Sequence, residues 1–145
     1  MTLNDEFIIL YETLPKVLIA TICGIIIGYE REKKNKVAGL RTIVLISVGT
    51  CIFTIGSFIT SKLFNLADPS RVISTIVTGV GFLGGGVIIK QEDKLVGVTT
   101  AAFIWIIAGI GILCGLGLVM TPILITLLVI IMSWYFERIE RNMKN

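Results

Sequence analysis

Asp68-Pro69-Ser70-Arg71-Val72, then Gly79-Val80-Gly81-Phe82-Leu83-Gly84-Gly85-Gly86-Val87-Ile88, then Val98-Thr99-Thr100-Ala101-Ala102 with Trp105 beyond, form the most telling part of the chain. So many glycines would mark a loop in water, yet no charged residue stands between Arg71 and Lys90. Such a run reads as membrane, where small residues let helix backbones touch and any broken backbone must be buried in protein or line a cavity. Three consecutive glycines, each costing a helix about 1 kcal/mol against alanine, make Gly84, Gly85 and Gly86 the mark of a close crossing, a kink or a break. A close-packed, unbroken helix is the simplest of these, because lipid has no partner for free N–H and C=O groups. In that reading Gly81 and Gly85, on one face with Ser74 and Thr78, make the contact, and Gly84 and Gly86 point elsewhere.

The rest of the chain agrees with a membrane domain. Its 145 residues are 54% apolar and only 16% charged, with mean hydropathy +0.92, against a soluble norm of about 25% charged. Five apolar runs can cross a hydrocarbon core of about 30 Å: 14–29, 40–58, 72–89, 98–114 and 118–136. The expected fold is therefore all-α, a single integral membrane domain over residues 1–145 with five transmembrane helices. Pro15 fits the first turn of the first run and Pro122 the start of the fifth. Runs four and five, joined by Gly115 to Gly117, form a tight hairpin. Met1 to Tyr11 carry Asp5 and Glu6 and no basic residue, so no cleaved signal is expected.

Basic residues set the orientation. One side collects ten (Arg31, Lys33, Lys34, Lys36, Arg41, Lys90, Lys94, Arg138, Arg141 and Lys144), the other three (Lys16, Lys62 and Arg71). The N-terminus is accordingly expected outside and the C-terminus inside.

Residues three and four apart share a helix face. Run two lines up Ser47, Thr50, Thr54, Ser57 and Ser61. Run one places Ala20, Gly24 and Gly28 together, and run four Gly97, Ala101, Ala108, Gly111 and Gly115. Runs one to four should pack closely through these stripes, with the fifth against lipid. The glycine stripes have an ordinary reading as helix packing. The hydroxyl stripe is either packing, with each hydroxyl bonded back to its own backbone, or one wall of a polar path.

Some charges need partners. Asp68 reads as an N-cap with Pro69 at the first helical position, but Arg71 stands at the positive end of a helix dipole and calls for an acid, either Asp68 or Asp5, Glu6 or Glu12. At the opposite end Glu30 is expected to pair with Arg31 or Arg41 in the mouth of the bundle, with Lys33, Lys34 and Lys36 solvated or facing lipid.

Several functions are excluded or weakened. Without histidine, Ser-His-Asp and Cys-His nucleophile pairs and His-rich metal sites cannot form. Cys23, Cys51 and Cys114, at unrelated spacings within apolar runs, read as buried inert thiols. Glu30 and Glu32 lie among four cations and no run contains a carboxylate, a poor arrangement for Mg²⁺. No metal, cofactor, enzymatic activity or nucleic-acid partner is expected.

The blocks Gly28-Tyr29-Glu30-Arg31-Glu32, Ala38-Gly39-Leu40-Arg41-Thr42, Asp68 to Val72, Gly79 to Ile88 and Val98 to Ala102, with Trp105 beyond, resemble the MgtC/SapB family of bacterial inner-membrane proteins. Gly85 stands where the family often has alanine and Val98 where it often has leucine. The resemblance is to a short form, since longer members carry a cytoplasmic C-terminal domain after the fifth span. It implies a multi-pass protein of the bacterial cytoplasmic (inner) membrane, from a virulence-associated family tied to growth at low magnesium. Some members bind other membrane proteins, including the F-type ATP synthase, and the family has no established transport chemistry.

The reading that joins these strands is a non-enzymatic protein acting in magnesium or membrane-energy homeostasis. It would work through helix contacts with itself, as a homodimer or other homo-oligomer in the lipid bilayer, or with another membrane protein. The competing reading is a small ion or solute transporter or channel with a polar path between runs two and three. The candidate residues are the charges Glu30, Arg31, Arg41, Asp68 and Arg71. The packing or cavity residues are Gly24, Gly28, Ser47, Thr50, Thr54, Gly79, Gly81, Gly84, Gly85, Gly86, Thr99, Thr100 and Trp105.

Overall fold

A computed structural model describes residues 2–64, 68–92 and 94–143. Lys144, counted above among the inner basic residues, lies outside the described residues. The chain forms five helices: α1 (Leu3–Lys33), α2 (Leu40–Phe64), α3 (Pro69–Gly86), α4 (Val98–Gly115) and α5 (Met120–Met143). Between α3 and α4 a short antiparallel hairpin pairs β1 (Ile89–Gln91) with β2 (Lys94–Val96). The fold is all-α apart from this hairpin. Four helices, α1, α2, α4 and α5, are long and apolar enough to cross a membrane. The fifth, α3, is not among them, because Ser70, Arg71, Ser74, Thr75, Thr78 and five glycines dilute its 18 residues.

The helix ends follow local chemistry. Thr2 and Asp5 form a capping box at the start of α1, with the Thr2 N–H donating to Asp5 Oδ2 at 2.6 Å. The helix therefore begins well before the first apolar run, and Pro15 lies in its interior, not in its first turn. At the other end Asn35 takes a left-handed φ of 51°, while Lys36 N–H donates to the Arg31 carbonyl and Asn35 N–H to that of Glu32. The same double return closes α4 at Gly117 (φ 88°), where Leu118 and Gly117 donate to Leu113 and Cys114. This turn makes the expected α4–α5 hairpin.

In α3, Asp68 is the N-cap, accepting from Ser70 N–H at 2.9 Å, and Pro69 opens the helix. The helix runs unbroken through Gly84 and Gly85 and stops at Gly86, short of the expected Ile89. Ile89 belongs to β1 instead, and Gly97, at φ 96° and with no room for a Cβ beside the Val87 carbonyl, turns the chain into α4. Gly97 therefore precedes the α4 stripe and is not part of it.

The core is the contact of α1, α2 and α4. Ala20, Cys23 and Ile27 meet Ile43, Cys51 and Ile55 and the α4 residues Ile104, Ile107, Ile110 and Cys114. Small residues make the approach possible. A Cβ on Gly24 would lie 3.0 Å from the Val44 Cα, and one on Gly28 3.0 Å from the Leu40 Cα. On α4, Gly115 sits over Cys51 and Thr54 of α2, and Gly111 against Thr50 and the Ser47 carbonyl. Helices α3 and α5 lean on this trio. Only Val80 and Gly84 of α3 are buried, and only Pro122, Thr126 and Val129 of α5.

The contact expected through Gly81 and Gly85 is made by Gly84, which packs on Ala101 of α4, whereas Gly79, Gly81, Gly85 and Gly86 have open space where a Cβ would stand. The reversal has a simple cause: α3 turns its Val80–Gly84 edge to α4, and its hydroxyl and glycine face outward.

Candidate functional site

Gly28 meets Leu40 at the start of α2, and Gly84 meets Ala101 at the start of α4. The C-terminal end of α1 is also tied to that of α5. Successive helices therefore alternate in direction, and the basic clusters at 31–41, 90–94 and 138–141 gather at one end of the bundle. A polar cluster is built into that end.

Arg31 is its anchor. The side chain is 2% exposed, Nη2 donates to Thr100 Oγ1 at 2.9 Å, and the guanidinium lies 4.2 Å from the centre of the Phe103 ring. Thr100 and Phe103, three apart on α4, present hydroxyl and ring to the same cation. The Nε has no acceptor among the described residues.

Glu30 does not pair with Arg31 or Arg41. Its Oε1 binds the Lys34 ammonium, four residues on, and accepts from Ser133 Oγ at 2.9 Å. Lys34 in turn binds Glu137 of α5, so a residue expected to be solvated or to face lipid is the clasp between α1 and α5. Burial pushes the Lys34 pKa down, but the hydrogen bonds and charges of Glu137 and Glu30 outweigh it and the value is raised. The physical reason for the correction is helical phase: Glu30 and Lys34 share the face of α1 turned to α5, while Arg31, 100° further round, faces α4. Glu30 Oε2 is buried without a donor among the described residues. Glu32, the other acid here, accepts the Leu40 N–H at 2.8 Å and so caps α2.

Arg41 is exposed and, among the described residues, makes no ion pair. The same is true of Arg71, which overturns the expected salt bridge. The Asp68 carboxylate is occupied by Ser70, whose Oγ donates to Oδ2 at 2.8 Å, and this bond, the Ser70 N–H and the nearby Arg71 charge together hold its pKa below the usual range.

Arg71 instead borders a lateral groove of about 900 Å³ between α2 and α3. Its walls are mostly apolar, with Leu45, Phe53, Ile76 and Leu83 outnumbering the polar Thr42, Thr50 and Thr75. Of the other candidates, Thr99 is exposed, and Trp105, 57% exposed, stands on the outer side of α4 against Val77 and Val80.

Four hydroxyls of α2 are turned into the core. Ser47 donates to the Ala20 carbonyl of α1 at 2.8 Å. Thr50, Thr54 and Ser57 donate to carbonyls of their own helix, at Ile46, Thr50 and Thr54. The cysteines are free and buried, with Cys23 and Cys114 side by side against Thr126.

Comparison with known proteins places this arrangement. The model of the MgtC family matches residues 17–142. An uncharacterized protein of Haemophilus influenzae is 38% identical over 135 residues, covering 88% of this chain and 56% of its own length. Protein MgtC of Salmonella typhimurium is 40% identical, covering 78% of this chain and 47% of its own. Protein SapB of Bacillus subtilis is 44% identical, covering 73% and 48%. The chain spans about half the length of the curated relatives it matches, and no solved structure matches it. A family match over nearly all of the helical bundle, joined by relatives at this identity, establishes that the chain belongs to the MgtC family.

Proposed function

We propose that this multi-pass membrane protein is non-enzymatic and acts in magnesium or membrane-energy homeostasis by helix contacts, with further copies of itself or with another membrane protein such as the F-type ATP synthase. In this reading all five helices cross the bacterial inner membrane, with the N-terminus outside and the basic end inside. The observation that carries it is the fate of the buried α2 hydroxyls: Ser47, Thr50, Thr54 and Ser57 each donate to a backbone carbonyl, and of that stripe only Thr50 borders the α2–α3 groove, so no continuous hydroxyl wall faces it. The α2–α3 groove is mostly apolar and opens sideways, which suits a helix or a lipid tail better than a hydrated ion.

The test is photo-crosslinking from position 82, where the Phe82 side chain is 84% exposed on α3, in native membranes. Adducts to a second copy or to one membrane protein support the reading. Lipid adducts alone, together with ion flux in proteoliposomes that Thr50→Val abolishes, would replace it with the transporter reading. Orientation is tested separately: a cysteine at position 5 should react with an impermeant reagent from outside, and one at position 142 only from inside.

A further inference from the structure

At the basic end of the bundle, α1 and α5 leave between them a groove of about 540 Å³. Ile130, Trp134, Arg138 and Arg141 fall on one face of α5, and Tyr29 and Lys33, four apart, form the facing wall on α1. The groove is graded along the helix axis. Ile130 and Trp134 lie toward the apolar body of α5, and the two arginines lie beyond them at its polar end. Two carboxylates, Glu30 and Glu137, also border it, and both are bound by Lys34. Lys33, Arg138 and Arg141 make no ion pair among the described residues. Four cations against two carboxylates leave the groove with a net charge of +2.

We propose that this groove binds the phosphate of an anionic phospholipid. The guanidinium groups of Arg138 and Arg141 take the phosphodiester oxygens, for which their planar forks are matched, and Lys33 adds a third charge from α1. Trp134 and Ile130 lie against the glycerol and the first acyl carbons, the depth at which tryptophan favours a membrane interface. Basic pockets between helices at a membrane surface take anionic headgroups in this way. Free phosphate shares the charged half of this chemistry but has no use for the exposed Trp134 and the half-buried Ile130 beside it. A net-neutral lipid meets carboxylates already held by Lys34 and gains nothing from the excess positive charge. The inference rests on the chain lying in a bilayer, and is independent of any contact made by α3.

The whole chain in detergent micelles is titrated with phosphatidylglycerol, phosphatidylcholine or inorganic phosphate, and binding is read by native mass spectrometry and by the rise in melting temperature. Phosphatidylglycerol is expected to bind at least about tenfold more tightly than phosphatidylcholine. Arg138→Gln and Arg141→Gln are each expected to weaken it about fivefold, and Trp134→Ala also weakens it. A Lys90→Gln/Lys94→Gln double variant removes two cations from the same end of the bundle but outside the groove, and should bind as the wild type does. An equal loss in that variant means diffuse surface charge and overturns the proposal. So do equal affinity for phosphatidylcholine and displacement of phosphatidylglycerol by millimolar phosphate. If Arg138→Gln does not fold without lipid, Arg138→Lys takes its place. It keeps the charge and loses the fork, and unchanged affinity there counts against the proposal equally.

Discussion

The sharpest perturbation is a single methyl group placed on different glycines. At Gly115 of α4 a Cβ would lie 2.6 Å from the Thr54 Cβ and 2.8 Å from the Cys51 carbonyl oxygen, where carbon atoms at rest stay about 3.5–4.0 Å apart. The obstacle includes α2 backbone, so relief requires α4 and α2 to separate by roughly 1 Å over at least a turn. Overpacking of this kind costs about 1–3 kcal/mol, and the higher helix propensity of alanine returns up to about 1 kcal/mol. The net for Gly115→Ala is a loss of up to about 3 kcal/mol, or up to roughly 12 °C in melting temperature for a chain of this size. At Gly85 nothing lies within 4 Å of the same atom, so only the propensity term remains. Gly85→Ala should therefore gain about 0.5–1 kcal/mol. Thermal denaturation in detergent, followed by circular dichroism, reads both. The reasoning fails if the two variants shift in the same direction, and it fails completely if Gly85→Ala is the more damaging.

Other expectations follow from the polar cluster. Arg31→Met, which fills the same space without a buried charge, should leave stability unchanged or raised. Arg31→Ala, which opens a cavity beside Phe103, should lose about 2–5 kcal/mol by the same melt; equal losses in both would mean that the charge itself supports the fold. For Lys34 the raised pKa fixes the sign: its stabilisation is complete below the ordinary lysine value of about 10.4 and disappears as pH rises through the folded-state value. The stability difference between wild type and Lys34→Gln should hence be flat from about pH 6 to 9 and shrink above about 10.5. Asp68, with its pKa held low, stabilises above the ordinary carboxylate value and loses that effect as pH falls. Asp68→Asn, which still caps, should be milder than Asp68→Ala, and hydrogen exchange at the start of α3 would show it.

The apolar runs made every helix legible, but what decides helix ends is shorter in range. The start of α1 was written in Thr2-Leu3-Asn4-Asp5, a capping signature that a search for apolar runs passes over. The end of α3 was obscured because Val87, Ile88 and Ile89 continue the apolar run, although Val87 caps the helix and Ile89, paired with Val96, opens a hairpin that the left-handed Gly97 follows. Within the polar cluster, the spacing of Glu30 to Lys34, and of Ser133 to Glu137, could have marked two facing pairs. No local signal joins Arg31 to Thr100, which are 69 residues apart. Glu30 finds its partner four residues on along a helix face, not in the adjacent Arg31.

A difference in how the helices use small residues bears on the choice between contact and transport. On α1 and α4, Gly24, Gly28, Gly111 and Gly115 are each held against another helix, so the propensity they cost is offset by close packing. On α3 only Gly84 is so held. Gly79, Gly81, Gly85 and Gly86 each weaken the helix by up to about 1 kcal/mol and have open space where a Cβ would stand. A hydrated path does not account for them, because α3 is an unbroken helix through Gly86 and the Gly84 and Gly85 carbonyls at its end accept from the Val87 and Ile88 N–H groups. A second helix lying along the Gly81–Gly85 face of α3 does account for that pair, since only a face without Cβ atoms lets two backbones approach in lipid. The Gly85→Ala variant carries this argument as well as the first: a protein that is more stable yet no longer crosslinks from position 82 has lost a contact, not a fold.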